Sequence, residues 1–171
     1  MLIVHRFGLI VVLLALQALA PPNARSAPRP GETPPPYVGV TLDGSPILLS
    51  EHPGKAVVVS FWATWCAQCL NELPILNNIQ TVAGKEKVQV IAVNTESRDV
   101  FRKVSRALNR LDLQLAYDPD KKGQNAYAVH GIPHMIIIGR DGKVVSIHRG
   151  YSEESLDSIV ASINRAIGAS Q

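Results

Sequence analysis

Two uninterrupted apolar runs mark the centre of the chain. The segments 56-AVVVSF-61 and 88-VQVIAV-93 are rich in β-branched side chains and lack the alternation of a half-exposed strand. Such runs predict strands that are buried on both faces of a sheet. Two more strands are predicted at residues 135–139 and 144–149, joined as a hairpin by a turn containing Asp141 and Gly142.

Helical periodicity fills the intervals between these strands. The pattern predicts one helix over residues 66–82, with Pro74 inside it, and a second helix that begins after an N-cap at Ser97. The expected buried face of the second helix consists of Val100, Val104, Leu108 and Leu111. A short helix at residues 122–128 and a final amphipathic helix capped by Ser152 complete the pattern.

A further hairpin is predicted before the first buried strand. Residues 38–41 and 47–49 are apolar and flank Asp43-Gly44, a dipeptide that favours a tight turn. The order is then hairpin, strand, helix, strand, helix, hairpin and helix. This order indicates an α/β fold with a central mixed sheet flanked by helices.

The first 26 residues have the composition of an export segment. His5 and Arg6 precede the low-polarity run 7–20. A basic start followed by a short apolar region is typical of a signal peptide, and the run is short for a membrane span. We predict that residues 1–26 are a signal peptide or N-terminal anchor. The expected location is periplasmic or extracytoplasmic, secreted or membrane-anchored by the N-terminus.

The end of this segment and the ten residues that follow it are rich in proline. Residues 21–36 contain seven of the twelve prolines in the chain. Such a composition favours extended polyproline geometry over a packed core. We therefore expect residues 27–36 to be a linker and residues 37–171 to form the folded domain.

The charge balance argues against nucleic acid as a partner. The formal net charge is +3, but Arg6 and Arg25 lie in the first 26 residues, where there is no acid. From Ala27 onward, fifteen Lys and Arg residues face fourteen acids, and the lysines are scattered. No basic patch of the kind that binds nucleic acid is predicted.

The only two cysteines, Cys66 and Cys69, lie where a buried strand leads into a helix. A helix N-terminus supplies positive partial charge and unpaired N–H groups, which stabilise a thiolate at Cys66. Cys69 is one turn further along and is expected to be less exposed, while Trp65 shields one side of the pair. In an exported protein such a pair is expected to cycle between dithiol and disulfide.

Other interpretations of the cysteine pair stay open at this point. A purely structural disulfide is disfavoured because so short a loop restricts the unfolded chain little. A structural zinc site needs four ligands, and the histidines show no paired spacing. A copper site could combine the two thiols with His134. A peroxidase would carry threonine three residues before its cysteine, where this chain has Ala63, with Thr64 one residue later.

A longer pattern surrounds the pair. The stretch 61-FWATWCAQCLNELP-74, its lead-in from residue 42 and the segment 117–145 resemble the TlpA/ResA-like branch of the thioredoxin superfamily. The resemblance implies a thioredoxin fold with an extra N-terminal β-hairpin and a central insertion. It also implies a protein-disulfide oxidoreductase that needs no cofactor or metal.

The resemblance implies a role for each reacting residue. Cys66 corresponds to the attacking thiol and Cys69 to the resolving thiol. Glu72 corresponds to an acidic residue that could exchange a proton with Cys69. The alternative for Glu72 is an exposed carboxylate in the first helical turn that only complements the helix dipole. Ser60 occupies the position at which thioredoxins bury an aspartate.

The remaining site residues concern recognition and tuning. Pro133 corresponds to the cis-proline of the family, and together with Ile132 and Trp65 it is expected to bind the substrate peptide. Ala67 and Gln68, between the cysteines, are expected to tune the reduction potential. Since neither carries a positive charge, we expect a reducing rather than a strongly oxidising pair.

The resemblance also suggests partners. Client proteins with disulfides, for example in cytochrome c or metal-site assembly, are the expected substrates. A membrane thiol donor is expected to reduce the enzyme again. Contact with the membrane is expected only through an N-terminal anchor. For His134, which follows the proline, simple packing is the favoured interpretation.

Overall fold

The computed structural model describes residues 27–168. The predicted signal peptide or anchor at residues 1–26 lies outside the described residues. Among residues 27–168, no helix has the length and apolar character needed to cross a membrane.

The described chain forms one sheet with helices packed against it. Its strands are β1 Tyr37–Val40, β2 Pro46–Leu48, β3 Ala56–Trp62, β4 Val88–Asn94, β5 Gln114–Tyr117, β6 His134–Ile138 and β7 Val144–Arg149. Its α-helices are α1 Ala67–Ala83, α2 Arg98–Ala107, α3 Lys122–Ala126 and α4 Leu156–Gly168. Short 3-10 turns lie at Leu49–Glu51 and Glu153–Ser155.

The sheet is mixed and has the order β2-β1-β5-β4-β3-β6-β7. Strands β3, β4 and β5 are parallel, and β6 and β7 continue the sheet as an antiparallel hairpin. The hairpin β1–β2 joins the other side through the pairing of Val40 with Tyr117. The predicted α/β thioredoxin fold and its N-terminal hairpin are therefore confirmed.

Strand β3 is buried along its whole length and supplies both layers of the core. Val57, Val59 and Phe61 point to one face, where Tyr127 at the end of α3 packs. Ala56 and Val58 point to the other face, where α1 and α4 contribute Leu76, Ile159 and Ile163. This two-sided burial explains why the run lacks polar alternation. It also places α1, with the cysteines at its start, directly over the centre of the sheet.

Two features of the segment after β4 differ from the sequence-based prediction. Strand β5 was not predicted, because its four residues show no clear period. The fully buried residue of α2 is Phe101, whose ring stacks on Tyr117 at 4.8 Å between centroids. Val104 and Leu108 are half-buried, and Leu111 follows the end of the helix.

Two helix boundaries also differ. Helix α3 ends at Ala126, because Ala128 adopts a left-handed φ of 51° that does not continue a helix. Ser152 caps the 3-10 turn Glu153–Ser155, and α4 begins after it at Leu156.

The proline-rich segment makes ordered contacts with the domain. The backbone N–H of Gly31 donates to the carbonyl of Val144 at 2.8 Å, and the N–H of Val144 donates to Glu32 at 2.9 Å. The Tyr127 hydroxyl donates to the carbonyl of Pro35. A free linker would make none of these bonds. The domain boundary at residue 37 stays a prediction, with these contacts favouring an earlier one.

Candidate active site

Cys66 and Cys69 are joined by a disulfide at the N-terminus of α1, with their Cα atoms 5.3 Å apart. Cys66 is the N-cap residue, and its Sγ accepts a hydrogen bond of 3.2 Å from the backbone N–H of Cys69. Cys66 is 8% exposed, whereas Cys69 is fully buried. A substrate therefore reaches Cys66 first, and the expectation that Cys69 is the less exposed of the two is confirmed.

The inner side of the disulfide is apolar. Trp62, Leu73 and Ala92 pack around the two cysteines. On the outer side, Ala67 and Gln68 are exposed and Trp65 is 73% exposed. The disulfide thus lies at the boundary between an apolar interior and an open surface.

The loop before β6 packs against this cluster. Ile132 is half-buried and contacts the group of side chains that contains Cys66 and Cys69. The bond between Ile132 and Pro133 is cis, as predicted, and Pro133 is buried. The structure therefore brings Ile132, which lies 66 residues after Cys66 in the chain, to the cluster that contains the cysteine pair.

Glu72 lies in the second turn of α1 and is buried, with 1% of its surface exposed. The Ser60 hydroxyl donates a hydrogen bond of 2.6 Å to Oε1 of this carboxyl group. Its Oε2 has no hydrogen-bond partner within residues 27–168. Burial raises the pKa of Glu72 to about 7, although the bond from Ser60 opposes the shift. The alternative of an exposed, dipole-satisfying carboxylate was therefore wrong.

This environment allows Glu72 to exchange a proton near neutral pH. A carboxyl group with a pKa close to 7 is populated in both protonation states near neutral pH and can accept or release a proton. Cys69 and Glu72 are three residues apart on α1, so their side chains lie on the same helix face. Both are buried on the side of the sheet toward which Ser60 points.

His134 packs away from Glu72. In the antiparallel register, His134 pairs with Phe61 and Met135 pairs with Ser60, so His134 and Ser60 point to opposite faces of the sheet. The His134 ring contacts Phe61 edge-on at 6.4 Å between centroids. Burial lowers the pKa of His134 to about 4, assisted by the nearby charge of Arg149. This agrees with the packing interpretation.

A hydrogen-bonded group beside the cysteines was missed at the level of sequence. Glu96 accepts hydrogen bonds from the backbone N–H and the hydroxyl of Thr64, two residues before Cys66. Both residues follow the carboxyl ends of adjacent parallel strands, β3 and β4, and this was the signal that could have revealed them. In the described part of the chain, no three His, Cys, Asp or Glu residues are grouped as a metal site.

Comparisons with known proteins agree with this geometry. The profile of the Redoxin family matches residues 22–166. The thiol-disulfide oxidoreductase ResA of Geobacillus thermodenitrificans is 31% identical over 149 residues, which cover 82% of this chain and 84% of that protein.

Two solved structures share the fold. A candidate thiol:disulfide interchange protein DsbE from Chlorobium tepidum has a TM-score of 0.70 at 26% identity, covering 84% of this chain and 100% of that chain. The exposed lipoprotein thioredoxin Etrx1 of Streptococcus pneumoniae has a TM-score of 0.63 at 30% identity, covering 75% of this chain and 97% of that chain. The chain therefore belongs to the Redoxin family, in its TlpA/ResA-like thioredoxin branch, and is a thiol-disulfide oxidoreductase.

Proposed function

We propose that this thiol-disulfide oxidoreductase is exported and works as a reductase of disulfides in client proteins. The observation that supports exchange through this pair is its unequal burial: Cys66 reaches the surface at the helix N-cap, and Cys69 lies fully buried behind it. This asymmetry supports attack by Cys66 and resolution by Cys69.

The reaction begins with the reduced enzyme. The thiolate of Cys66 is stabilised by the N-terminus of α1, where the N–H of Cys69 points at its sulfur. It attacks one sulfur of a client disulfide, forming a mixed disulfide while the other client sulfur leaves as a thiolate. Trp65, exposed and next to Cys66 in the chain, would offer the client peptide an apolar contact, as would Ile132, which packs against the cluster that contains Cys66.

Resolution requires Cys69 to lose its proton in a buried, apolar site. In this proposal the proton passes from Cys69 to Oε2 of Glu72, the carboxyl oxygen that has no hydrogen-bond partner among residues 27–168. The Cys69 thiolate then attacks Sγ of Cys66, the intramolecular disulfide forms and the client sulfur leaves. Two electrons have moved from the enzyme to the client, and the enzyme is in the oxidised form described above.

The enzyme must be reduced again by an outside dithiol. A membrane thiol donor fits this role in an exported protein, and it would repeat the exchange in reverse at Cys66. The export segment at residues 1–26 would place the domain in the extracytoplasmic space. Etrx1, described as an exposed lipoprotein, is a relative in such a location. Clients in cytochrome c or metal-site assembly are the proposed substrates.

The direction of electron flow rests on the residues between the cysteines. A positive charge there would stabilise the Cys66 thiolate, favour the reduced enzyme and make it an oxidant. Ala67 and Gln68 supply no such charge, so the dithiol form is a good electron donor.

The proposal is tested by the Cys69→Ser variant, expressed in the native host. Mixed disulfides through Cys66 should accumulate, because the serine hydroxyl does not resolve them, and mass spectrometry of the trapped species identifies the clients. Cys66→Ser is the matched control and should trap nothing. If Cys69→Ser also traps nothing while Cys66 remains accessible to alkylation, the proposed client reduction is wrong.

Purified, reduced protein with both cysteines tests the two alternatives. A copper metallochaperone requires one-to-one copper binding by the reduced protein that His134→Ala weakens. The position of His134 on the sheet face opposite Ser60 argues against this. A thiol peroxidase requires rapid oxidation of Cys66 by peroxide. The Thr64 hydroxyl, the nearest counterpart of a peroxidase threonine, is already bonded to Glu96.

A further inference from the structure

The turn that carries Cys66 has little support from the sheet. Strand β3 ends at Trp62, and residues 63–66 form a turn in which the N–H of Cys66 donates to the carbonyl of Ala63 at 3.2 Å. Thr64, inside the turn, is beyond the last ladder pair, Trp62 with Asn94. A half-buried N–H at this position needs an acceptor from elsewhere.

Glu96 provides that acceptor. Its Oε2 accepts the backbone N–H of Thr64 at 2.6 Å, and its Oε1 accepts the Thr64 hydroxyl at 2.9 Å. Both donors of one turn residue therefore bond to one carboxylate, 32 positions away in the chain. Such paired, charge-assisted bonds restrict both position and orientation.

The carboxylate of Glu96 is itself held in place. Asn94, which is fully buried, donates from its side chain to Oε2 at 3.2 Å and accepts the backbone N–H of Glu96 at 2.9 Å. Between them, Thr95 donates its N–H and its hydroxyl to the carbonyl of Trp62. Residues 94–96 thus extend the β3–β4 pairing by side-chain bonds up to the turn before Cys66.

We propose that Glu96 is a positioning residue for the thiol-disulfide exchange: through Thr64 it holds the 63–66 turn so that Sγ of Cys66 lies at the N-terminus of α1. The inference rests on the proposed role of Cys66 as the attacking thiol. Glu96 touches neither sulfur in this account and acts only through Thr64. In this position the Cys66 sulfur accepts the N–H of Cys69 at 3.2 Å, and a displaced turn would weaken that bond.

A double-mutant cycle tests this coupling. Glu96→Ala, Thr64→Val and the double variant are compared in the rate at which reduced Cys66 attacks a small disulfide, followed as a function of pH. Glu96→Ala should slow the attack about tenfold, because small displacements of a reacting atom are costly. Thr64→Val should slow it less, because the backbone N–H of residue 64 still donates to Oε2 of Glu96. The double variant should be no slower than Glu96→Ala, since that change already removes the bond from the Thr64 hydroxyl.

Asp43→Ala is the matched control. Asp43 also accepts bonds from a threonine hydroxyl and a backbone N–H in a turn, but in the β1–β2 hairpin. It should leave the rate of Cys66 unchanged. If Glu96→Ala does not fold, Glu96→Gln takes its place. Glu96→Gln keeps an acceptor oxygen, so it should slow the attack by Cys66 less than Glu96→Ala. In the Thr64→Val background it should cause no further slowing.

The outcomes distinguish failure of the proposed function from failure of the positioning role of Glu96. If the wild-type protein does not reduce the disulfide, or Cys66→Ser still does, the proposed function fails whatever the cycle shows. If the wild type is active and the Glu96 and Thr64 effects are additive, or absent, the positioning role is wrong. A faster attack in Glu96→Ala would also overturn it, because it would mean that the carboxylate acts only as a charge opposing the thiolate.

Discussion

The hydroxyl of Ser60 donates a hydrogen bond of 2.6 Å to Oε1 of Glu72, joining the centre of β3 to the second turn of α1. Both residues are buried. Ser60 thus holds one oxygen of the carboxyl group and leaves Oε2 available for proton exchange. A neutral hydroxyl at this position avoids the repulsion that a second carboxylate would bring to the same site.

Removing the Ser60 hydroxyl should raise the pKa of Glu72. The hydrogen bond opposes the upward shift caused by burial, so its loss in Ser60→Ala favours the neutral acid. We expect the acid dissociation constant of Glu72 to fall by about tenfold, which corresponds to about 1.4 kcal/mol. Carboxyl ¹³C NMR of Glu72 as a function of pH measures it.

Ser162→Ala is the control for this variant, because Ser162 is also buried but bonds within α4. It should leave the titration of Glu72 unchanged. An unchanged midpoint in Ser60→Ala would show that the Ser60 bond does not tune the acid.

Replacing Glu72 should slow the resolution of the mixed disulfide by Cys69 and leave the attack by Cys66 almost unchanged. In Glu72→Gln the Cys69 proton has no buried acceptor, so decay of the mixed disulfide should slow by about a hundredfold. Formation of the mixed disulfide at Cys66 should change little. Stopped-flow mixing of the reduced enzyme with a labelled disulfide peptide resolves the two phases. Equal slowing of both phases would mean that Glu72 shapes the site and transfers no proton.

The shifted pKa of Glu72 also predicts how the stability of the oxidised protein depends on pH. The folded state keeps the proton up to about pH 7 and the unfolded state releases it near 4.5. The folded state therefore binds more protons between these values, and the contribution of Glu72 to stability is lost as pH rises from 4.5 through 7. The loss is about 3 kcal/mol.

Urea unfolding at a series of pH values measures this contribution. The difference in unfolding free energy between Glu72→Gln and the wild type should rise with pH across that window. Using this difference cancels the opposite trend of His134, whose lowered pKa reduces stability as pH falls from 6.5 toward 4. Asn78→Gln, an exposed change in α1 that involves no ionisable side chain, should show no such trend. If the difference in unfolding free energy between Glu72→Gln and the wild type does not change with pH, Glu72 is not a buried, neutral acid.

The sequence predicted those parts of the molecule that depend on local pattern. The continuous run before Cys66 predicted β3, and the spacing of Cys66 and Cys69 at a helix start predicted their unequal burial. Strand β5 and the contact of Phe101 with Tyr117 were not predicted from the sequence, because they depend on which elements become neighbours in the fold.

Within the site, too, contacts between residues far apart in the chain were not predicted from the sequence. Glu72 is buried and bonded to Ser60, 12 positions earlier in the chain. The bonds between Glu96 and Thr64 span 32 positions. The residues next to Glu72 and Glu96 in the sequence do not distinguish either from a solvated surface carboxylate, and the signal for Glu96 was its place after the carboxyl end of β4. Family resemblance indicated Glu72 but provided no signal for Glu96.

The residues between the cysteines should control the reduction potential. In Gln68→His, an imidazolium near the N-terminus of α1 would stabilise the Cys66 thiolate and hence the reduced form. The potential should become less negative by about 30 mV for each 1.4 kcal/mol of added stabilisation. Asn78→His, an exposed change further along α1, is the control. An unchanged or lower potential in Gln68→His would show that these positions do not set the redox balance.

The reduction potential of the wild-type pair tests the central claim most directly. Equilibration of Cys66 and Cys69 against glutathione or dithiothreitol buffers, followed by alkylation and mass spectrometry, measures the oxidised fraction. An enzyme that reduces client disulfides should have a potential below about −220 mV, in the range of reducing thioredoxin-fold proteins. A value near about −120 mV, as in strongly oxidising periplasmic enzymes, would contradict the account.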